Sequence, residues 1–257
     1  MLAAQIRSYA SYRMSFAIEL AVQAVVPLLD LAALLAILRV IPGLGGFDSD
    51  AVLVMFGISC LAFALADLAV GEIEKLRLYV RAGDLDAMLV RPLSLLGQLL
   101  ASSFAVRRLG RLVVGAVVFV VALARADLRL TPARAALLVV APLAGAVLFS
   151  AIFIGFATVA FWWIDSGEFA NGFTYGGRDF TSYPVNVYGA VFRHVFAFGL
   201  GFAFVSYYPT LAVMGLPDPL GLPGWVAWSS PAVAAVAALL SMVVWRFGVR
   251  HYRSTGS

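Results

Sequence analysis

The run AVLVMFGISCLAFALADLAV, residues 51–70, holds one charged side chain, and comparable runs recur along the chain. About 20 such residues carry a helix across the ~30 Å hydrocarbon core of a bilayer. Of the 257 residues 63% are hydrophobic and 12% charged, with mean hydropathy +0.96. A soluble domain carries about 25% charged residues, so the chain reads as an all-α membrane protein.

Several function classes drop out early. The lone cysteine, Cys60, sits inside an apolar run, so the chain holds no disulfide framework and no thiolate metal cluster of its own. His194 and His251 lie far apart and lack HExxH-type spacing, which argues against a metal-dependent hydrolase. The net charge of +4 fits basic residues flanking membrane spans better than nucleic-acid binding. No GxxxxGK[ST] phosphate loop is present, so any ATP-driven work needs a motor on another chain.

Six spans are expected, at about 17–40, 51–70, 108–124, 135–164, 187–205 and 225–247, within one transmembrane domain covering 1–257. Ahead of them, MLAAQIRSYASYRMSF sets Leu2, Ile6, Tyr9 and Phe16 at roughly helical spacing, predicting an N-terminal interfacial helix that is retained in the mature protein. The third span is short unless Arg107, Arg108 and Arg111 snorkel to the lipid surface. Residues 165–183 are polar and glycine-rich, and a loop or short surface element is expected there. SYYPTLAVMGLPDPLGLPGW carries Pro209, Pro217, Pro219 and Pro223, which speaks against a regular helix. Lys and Arg, counted over the loops with Arg178 included, gather on the side of the N-terminus, while Arg39, Arg125, Arg129 and Arg134 fall opposite. Both termini are therefore expected in the cytoplasm.

The most informative segment is 72–92. Glu72, Glu74, Lys75 and Arg77 pair at i,i+3 or i,i+4 on a helix leaving the second span, and Gly83 interrupts it. A short amphipathic helix capped by Asp84 follows, with Leu85, Met88 and Leu89 on one side, and Pro92 ends it. Two readings fit: an apolar ridge offered to a soluble partner, or a loop resting on lipid headgroups.

VRAGDLDAMLVRPLSLLGQ, residues 80–98, resembles the cytoplasmic signature of type-2 ABC exporter permeases. YPVNVYGAVFRHVFAFGLGFAFVSYYPTLAVMG, residues 183–215, resembles the second signature of one bacterial branch, with Tyr183-Pro184 and Tyr208-Pro209 flanking the fifth span. One departure stands out: relatives carry a proline within that span where this chain has Gly199-Leu200-Gly201. The resemblance implies that Arg81, Gly83, Asp84, Leu85, Asp86, Met88, Leu89, Arg91 and Pro92 form the coupling region that docks on the ATPase. It also implies two ATPase copies carrying ATP and Mg, and a second permease chain, identical or paralogous. The location implied is a bacterial plasma membrane, and the substrate a hydrophobic or amphipathic one moved outward.

Ionisable residues at bilayer depth cost roughly 2.5–3.5 kcal/mol or more, so they face the bundle, water or a partner. Asp30, near the middle of the first span, either lines a substrate or proton path or is hydrogen-bonded within the bundle. Asp67 is expected near the interface. Arg193, beside His194, either meets an anionic group or snorkels, and Phe202, Tyr207 and Tyr208 either line a pathway or pack. Alternatives from other classes are a membrane-embedded lipid-modifying enzyme using Asp30, Asp67, Asp165 and Glu168, and a secondary transporter. The first needs convergent carboxylates, the second paired broken helices in two halves.

Overall fold

The computed structural model describes residues 13–41, 43–101 and 108–252. The interfacial helix expected over residues 1–16 lies largely outside these; residues 13–16 open the first long helix instead.

That helix, α1 (Arg13–Val40), leads into a small hairpin of β1 (Gly43–Leu44) and β2 (Phe47–Asp48), turned by Gly45 and Gly46, both at positive φ. Two such residues in a two-residue loop make the tight turn whose twist matches antiparallel strands. Asp48 then caps α2 (Ser49–Val70), its carboxylate accepting from the Ala51 amide at 2.8 Å. Next come a 3₁₀ turn (Gly71–Lys75), α3 (Leu76–Ala82), α4 (Asp84–Leu89), α5 (Leu95–Ala101), α6 (Leu109–Arg125) and α7 (Pro132–Ala157). The chain continues with α8 (Gly167–Thr181), a bent pair made of α9 (Ala190–Gly199) and α10 (Tyr207–Met214), and finally α11 (Ser230–His251).

Four stretches, Ile18–Val40, Ser49–Ala82, Pro132–Phe161 and Ser230–His251, are long and apolar enough to cross a membrane, five if the bent pair is one span. The second is the core of the molecule: residues 51–60 of α2 are all buried, enclosed by α6, α7 and α8. α6 shows how sequence becomes packing. Its buried residues Gly115, Val118, Phe119 and Ala122 recur at helical spacing, while Val113, Val117, Val120 and Val121 are exposed. Glycines let the backbones approach: a Cβ at Gly57 of α2 would lie 2.9 Å from Phe119 Cα, and one at Gly115 would lie 3.1 Å from the Cys60 carbonyl.

Three expectations are corrected. Residues 167–181 form not a loop but a 15-residue helix packed along α2. The segment 187–205 is not a straight span: α9, π-wound over Arg193–Gly199, meets the following helical segment at 65°, with the break at Leu200-Gly201 and Gly201 at positive φ. Regular helix does exist within 206–225, at Tyr207–Met214, because Pro209 sits in its first turn, where its missing N–H costs no helical bond.

The path of α8 is fixed at both ends. Gly167 starts beside the Arg77 guanidinium, Thr181 shares a 2.6 Å hydroxyl hydrogen bond with Ser59, and just beyond the helix Asn186 donates to the Gly45 carbonyl. α8 and its extension thus run antiparallel to the full length of α2. The bent pair then begins and ends at the hairpin end. Its first leg carries Phe196 back to Phe173 of α8, and the second returns Tyr207 to the Phe47 ring, 5.7 Å away.

Candidate functional site

At the end opposite the hairpin, three helices are joined by buried charge. Arg108, just before α6, places Nε 3.2 Å from Asp67 Oδ1 and Nη2 3.4 Å from Glu72 Oε1, and donates to the Asp67 carbonyl at 3.0 Å. Arg111 donates to Asp67 Oδ2 at 2.5 Å and to Gln23 Oε1 of α1 at 3.3 Å. Lys75 closes the chain on Glu72 at 2.6 Å. Asp67, Glu72 and Arg108 are all less than a tenth exposed, so this cluster lies inside the bundle. One expectation changes here: Arg108 and Arg111 turn inward to acidic partners rather than snorkelling, while Arg107 lies outside the described residues; Asp67 is buried between the two guanidinium groups. The low dielectric rewards pairing and penalises a lone charge. Gly71 makes room for the guanidinium, since a Cβ there would sit 2.5 Å from Arg108 Nη1.

The segment 76–101 hangs directly below this cluster. Gly83, left-handed at φ 74°, both ends α3 and caps α4. Asp84 therefore opens α4 without acting as a side-chain cap. Leu85 is fully buried and anchors α4 to the body, and Met88 is half-buried beside it. The outward apolar residues are Leu89, Val90 at 83% exposure and Leu93 at 68%, with Arg91 and Pro92 exposed between them and Asp86 on the same outer surface. Gln98 braces the turn by donating to the Met88 and Leu93 carbonyls. Arg81 pairs with Asp165 in the turn before α8.

A second charged site sits halfway along the bundle. Asp30 of α1 forms an ion pair with Arg178 of α8. The Arg178 Cζ lies 5.6 Å from the Phe63 ring centroid, and Arg111 approaches the same ring at 5.6 Å. Arg178 is 8% exposed and Asp30 39%, so the guanidinium is covered and the carboxylate remains open. Asp179 is exposed beside them, within electrostatic reach of both. Sequence reasoning placed Arg178 in a cytoplasmic loop. The detectable signal was the spacing of Thr174, Gly177, Arg178 and Thr181, which form the buried face of α8.

The remaining candidates lie in and around the bent pair. Phe202 is fully buried against α8, where a Cβ on Gly177 would meet its ring at 2.2 Å. Tyr207 is buried and donates to Asp218 at 2.8 Å, and Tyr208 is buried against Phe204. Arg193 is half-buried and His194 exposed, with its Nδ1 2.7 Å from the Ala190 carbonyl. Asp30 pairs with Arg178, Asp67 with Arg108 and Arg111, and Asp165 with Arg81, and Glu168 is exposed. These four do not converge on one site, and among the described residues no group of three or more His, Cys, Asp or Glu side chains could hold a metal ion.

Compared with known proteins, residues 24–256 match the sequence model of a family described as ABC-2 family transporter protein. No curated protein and no solved structure matches the chain.

Proposed function

The chain belongs to the ABC-2 transporter family, a family of membrane permease components, and we propose that it is the permease subunit of an ATP-driven exporter. It moves a hydrophobic or amphipathic substrate outward across a bacterial plasma membrane. Two copies of a separate ABC ATPase supply the ATP and magnesium chemistry, and a second permease chain, identical or paralogous, completes the pathway.

The observation that carries this reading is the joint between segment 76–93 and the bundle. Leu85 fixes α4 from within while Leu89, Val90 and Leu93 face outward. Immediately above, Glu72 and Lys75 enter the Asp67–Arg108–Arg111 cluster, which also holds Gln23 of α1. A push on the coupling segment therefore reaches α1, α2 and α6 together. ATP binding, by favouring one arrangement of the ATPase pair, shifts the population of bundle conformations through these contacts.

In this reading six crossings are made by α1, α2, α6, α7, α8 and α11, and the bent pair dips in from the outer face and leaves by it. Support comes from the two fixed ends of α8, Gly167 at Arg77 and Asn186 at Gly45. With the termini in the cytoplasm, the hairpin end faces outward. Asp30 and Asp179 then stand open at mid-membrane depth, where a carboxylate facing lipid costs about 2.5–3.5 kcal/mol or more, so their face lines the shared pathway.

The test is site-specific photocrosslinking in native membranes. A photoreactive side chain at Val90 is expected to capture an ABC ATPase, and one at Val113, on the exposed face of α6, is not. No capture from Val90, with capture of lipid alone, would refute the docking assignment.

A further inference from the structure

The hairpin end carries a cleft of about 960 Å³, open mouth included, between the start of α7, the end of α10 and the loop leading to α11. Arg134, Tyr208, Asp218 and Trp228 line it, among prolines and glycines. Arg134 sits in the first turn of α7, where the helix dipole disfavours a cation. Its guanidinium donates to the Arg129 carbonyl at 3.1 Å and pairs with no carboxylate among the described residues. Gly215, at φ 71°, makes space for it: a Cβ there would lie 2.3 Å from Nη2 and would push the guanidinium aside. Tyr208 is 1% exposed, and its buried hydroxyl lies beside the Asp218 carboxylate, in electrostatic contact with it but outside hydrogen-bond geometry. Asp218 Oδ1 accepts from Tyr207 and from the Leu220 amide, while Oδ2 accepts only from the Leu222 amide at 3.3 Å. An ionised carboxylate has about four acceptor sites, so Oδ2 keeps one for an outside donor.

We propose that this cleft binds the phosphoethanolamine headgroup of a membrane lipid. The phosphate meets the Arg134 guanidinium, which relieves the unfavourable position of that cation in the first turn of α7, and the Tyr208 hydroxyl donates to it. The ammonium donates to Asp218 Oδ2. Trp225 and Trp228, exposed at the same rim, sit at the headgroup level of the bilayer. The lipid source rests on the proposed orientation of this end toward the outer leaflet.

Native mass spectrometry of the purified chain, in detergent micelles doped with equal phosphatidylethanolamine, phosphatidylglycerol and phosphatidylcholine, reads the site without any ATPase. The chain is expected to retain phosphatidylethanolamine over both others, since phosphatidylglycerol has no ammonium and the quaternary nitrogen of phosphatidylcholine cannot donate. Arg134→Gln is expected to lower retention about tenfold, and Asp218→Asn to erase the preference over phosphatidylglycerol. Tyr208→Phe, which keeps the ring, is expected to lower retention about three-fold while the melting temperature holds. Displacement by millimolar soluble phosphoethanolamine would reassign the same chemistry to a free solute and overturn the lipid source. Equal retention of the three lipids, or retention unchanged in folded Arg134→Gln and Tyr208→Phe, would overturn the headgroup site and leave the permease reading standing.

Discussion

Asp30 of α1 and Arg178 of α8 are joined in an ion pair halfway along the bundle, with the carboxylate open and the guanidinium covered. The asymmetry orders the consequences of cutting it. Asp30→Asn leaves a buried cation without its partner, whereas Arg178→Gln leaves an acid that is already partly exposed. Asp30→Asn is therefore expected to be the more damaging, at about 2–3 kcal/mol, below the ~3–5 of a fully buried pair because Asp30 is partly solvated. The double substitution is expected to recover part of the loss. Thermal melting followed by a thiol-reactive dye reads this directly, because Cys60, the single cysteine, is buried and reports on opening of the core.

The cluster at the opposite end from the hairpin is less forgiving. Arg108 serves Asp67 and Glu72 together, so Arg108→Gln is expected to cost about 3–5 kcal/mol, typical when one partner of a buried pair is removed. Lys75 is 40% exposed on its side chain, and Lys75→Ala is expected to cost about 1 kcal/mol or less. Equal melting temperatures for the two variants would deny the cluster its structural role.

Two adjacent glycines of α8 make opposite predictions. A Cβ at Gly177 would strike the rigid Phe202 ring at 2.2 Å, so Gly177→Ala is expected to destabilise by about 1–3 kcal/mol, with Phe202→Leu restoring part. Gly176 faces open space, and Gly176→Ala is expected to be neutral in packing and to gain up to about 1 kcal/mol of helix propensity. Comparing the two melting curves checks the rotation of α8 about its axis.

The proposed crossing of α8 is open to a labelling experiment in a Cys60→Ser background. Cysteines at exposed Gly189 and Gly221 are expected to react with an impermeant maleimide in intact cells, and one at exposed Val90 only after permeabilisation. Labelling of Gly189→Cys and Val90→Cys from the same side would remove that crossing.

Much of the fold was legible because apolar runs announce themselves: α1, α2, α7 and α11 lie close to four of the expected runs, and Gly83 breaks the helix leaving the second as read. The misplacements share a cause. Hydropathy finds helices that meet lipid or a dry core, whereas α8 carries Arg178, Asp179 and three glycines after its first residue, because its neighbours are Asp30, Ser59 and Glu74 as well as aromatics. An apolar stretch was correspondingly mistaken for a straight span in 187–205, where Gly201 at positive φ turns the chain back. Likewise, a helical pattern alone grouped Leu85 and Met88 with Leu89 on one side of a short helix. A six-residue helix has too few turns for that pattern to tell anchor from ridge: Leu85 is buried, whereas Val90 and Leu93 just beyond the helix are exposed.

The most direct test of the permease assignment is mild-detergent affinity purification of the tagged chain from its native host, with mass spectrometry of what accompanies it. Wild type is expected to bring down an ABC ATPase at near-equal stoichiometry, and a Val90→Asp, Leu93→Asp variant of unchanged melting temperature is expected to lose it. Absence of any ABC ATPase from the wild-type sample across several detergents, or its full retention by the variant, would contradict the assignment of that surface.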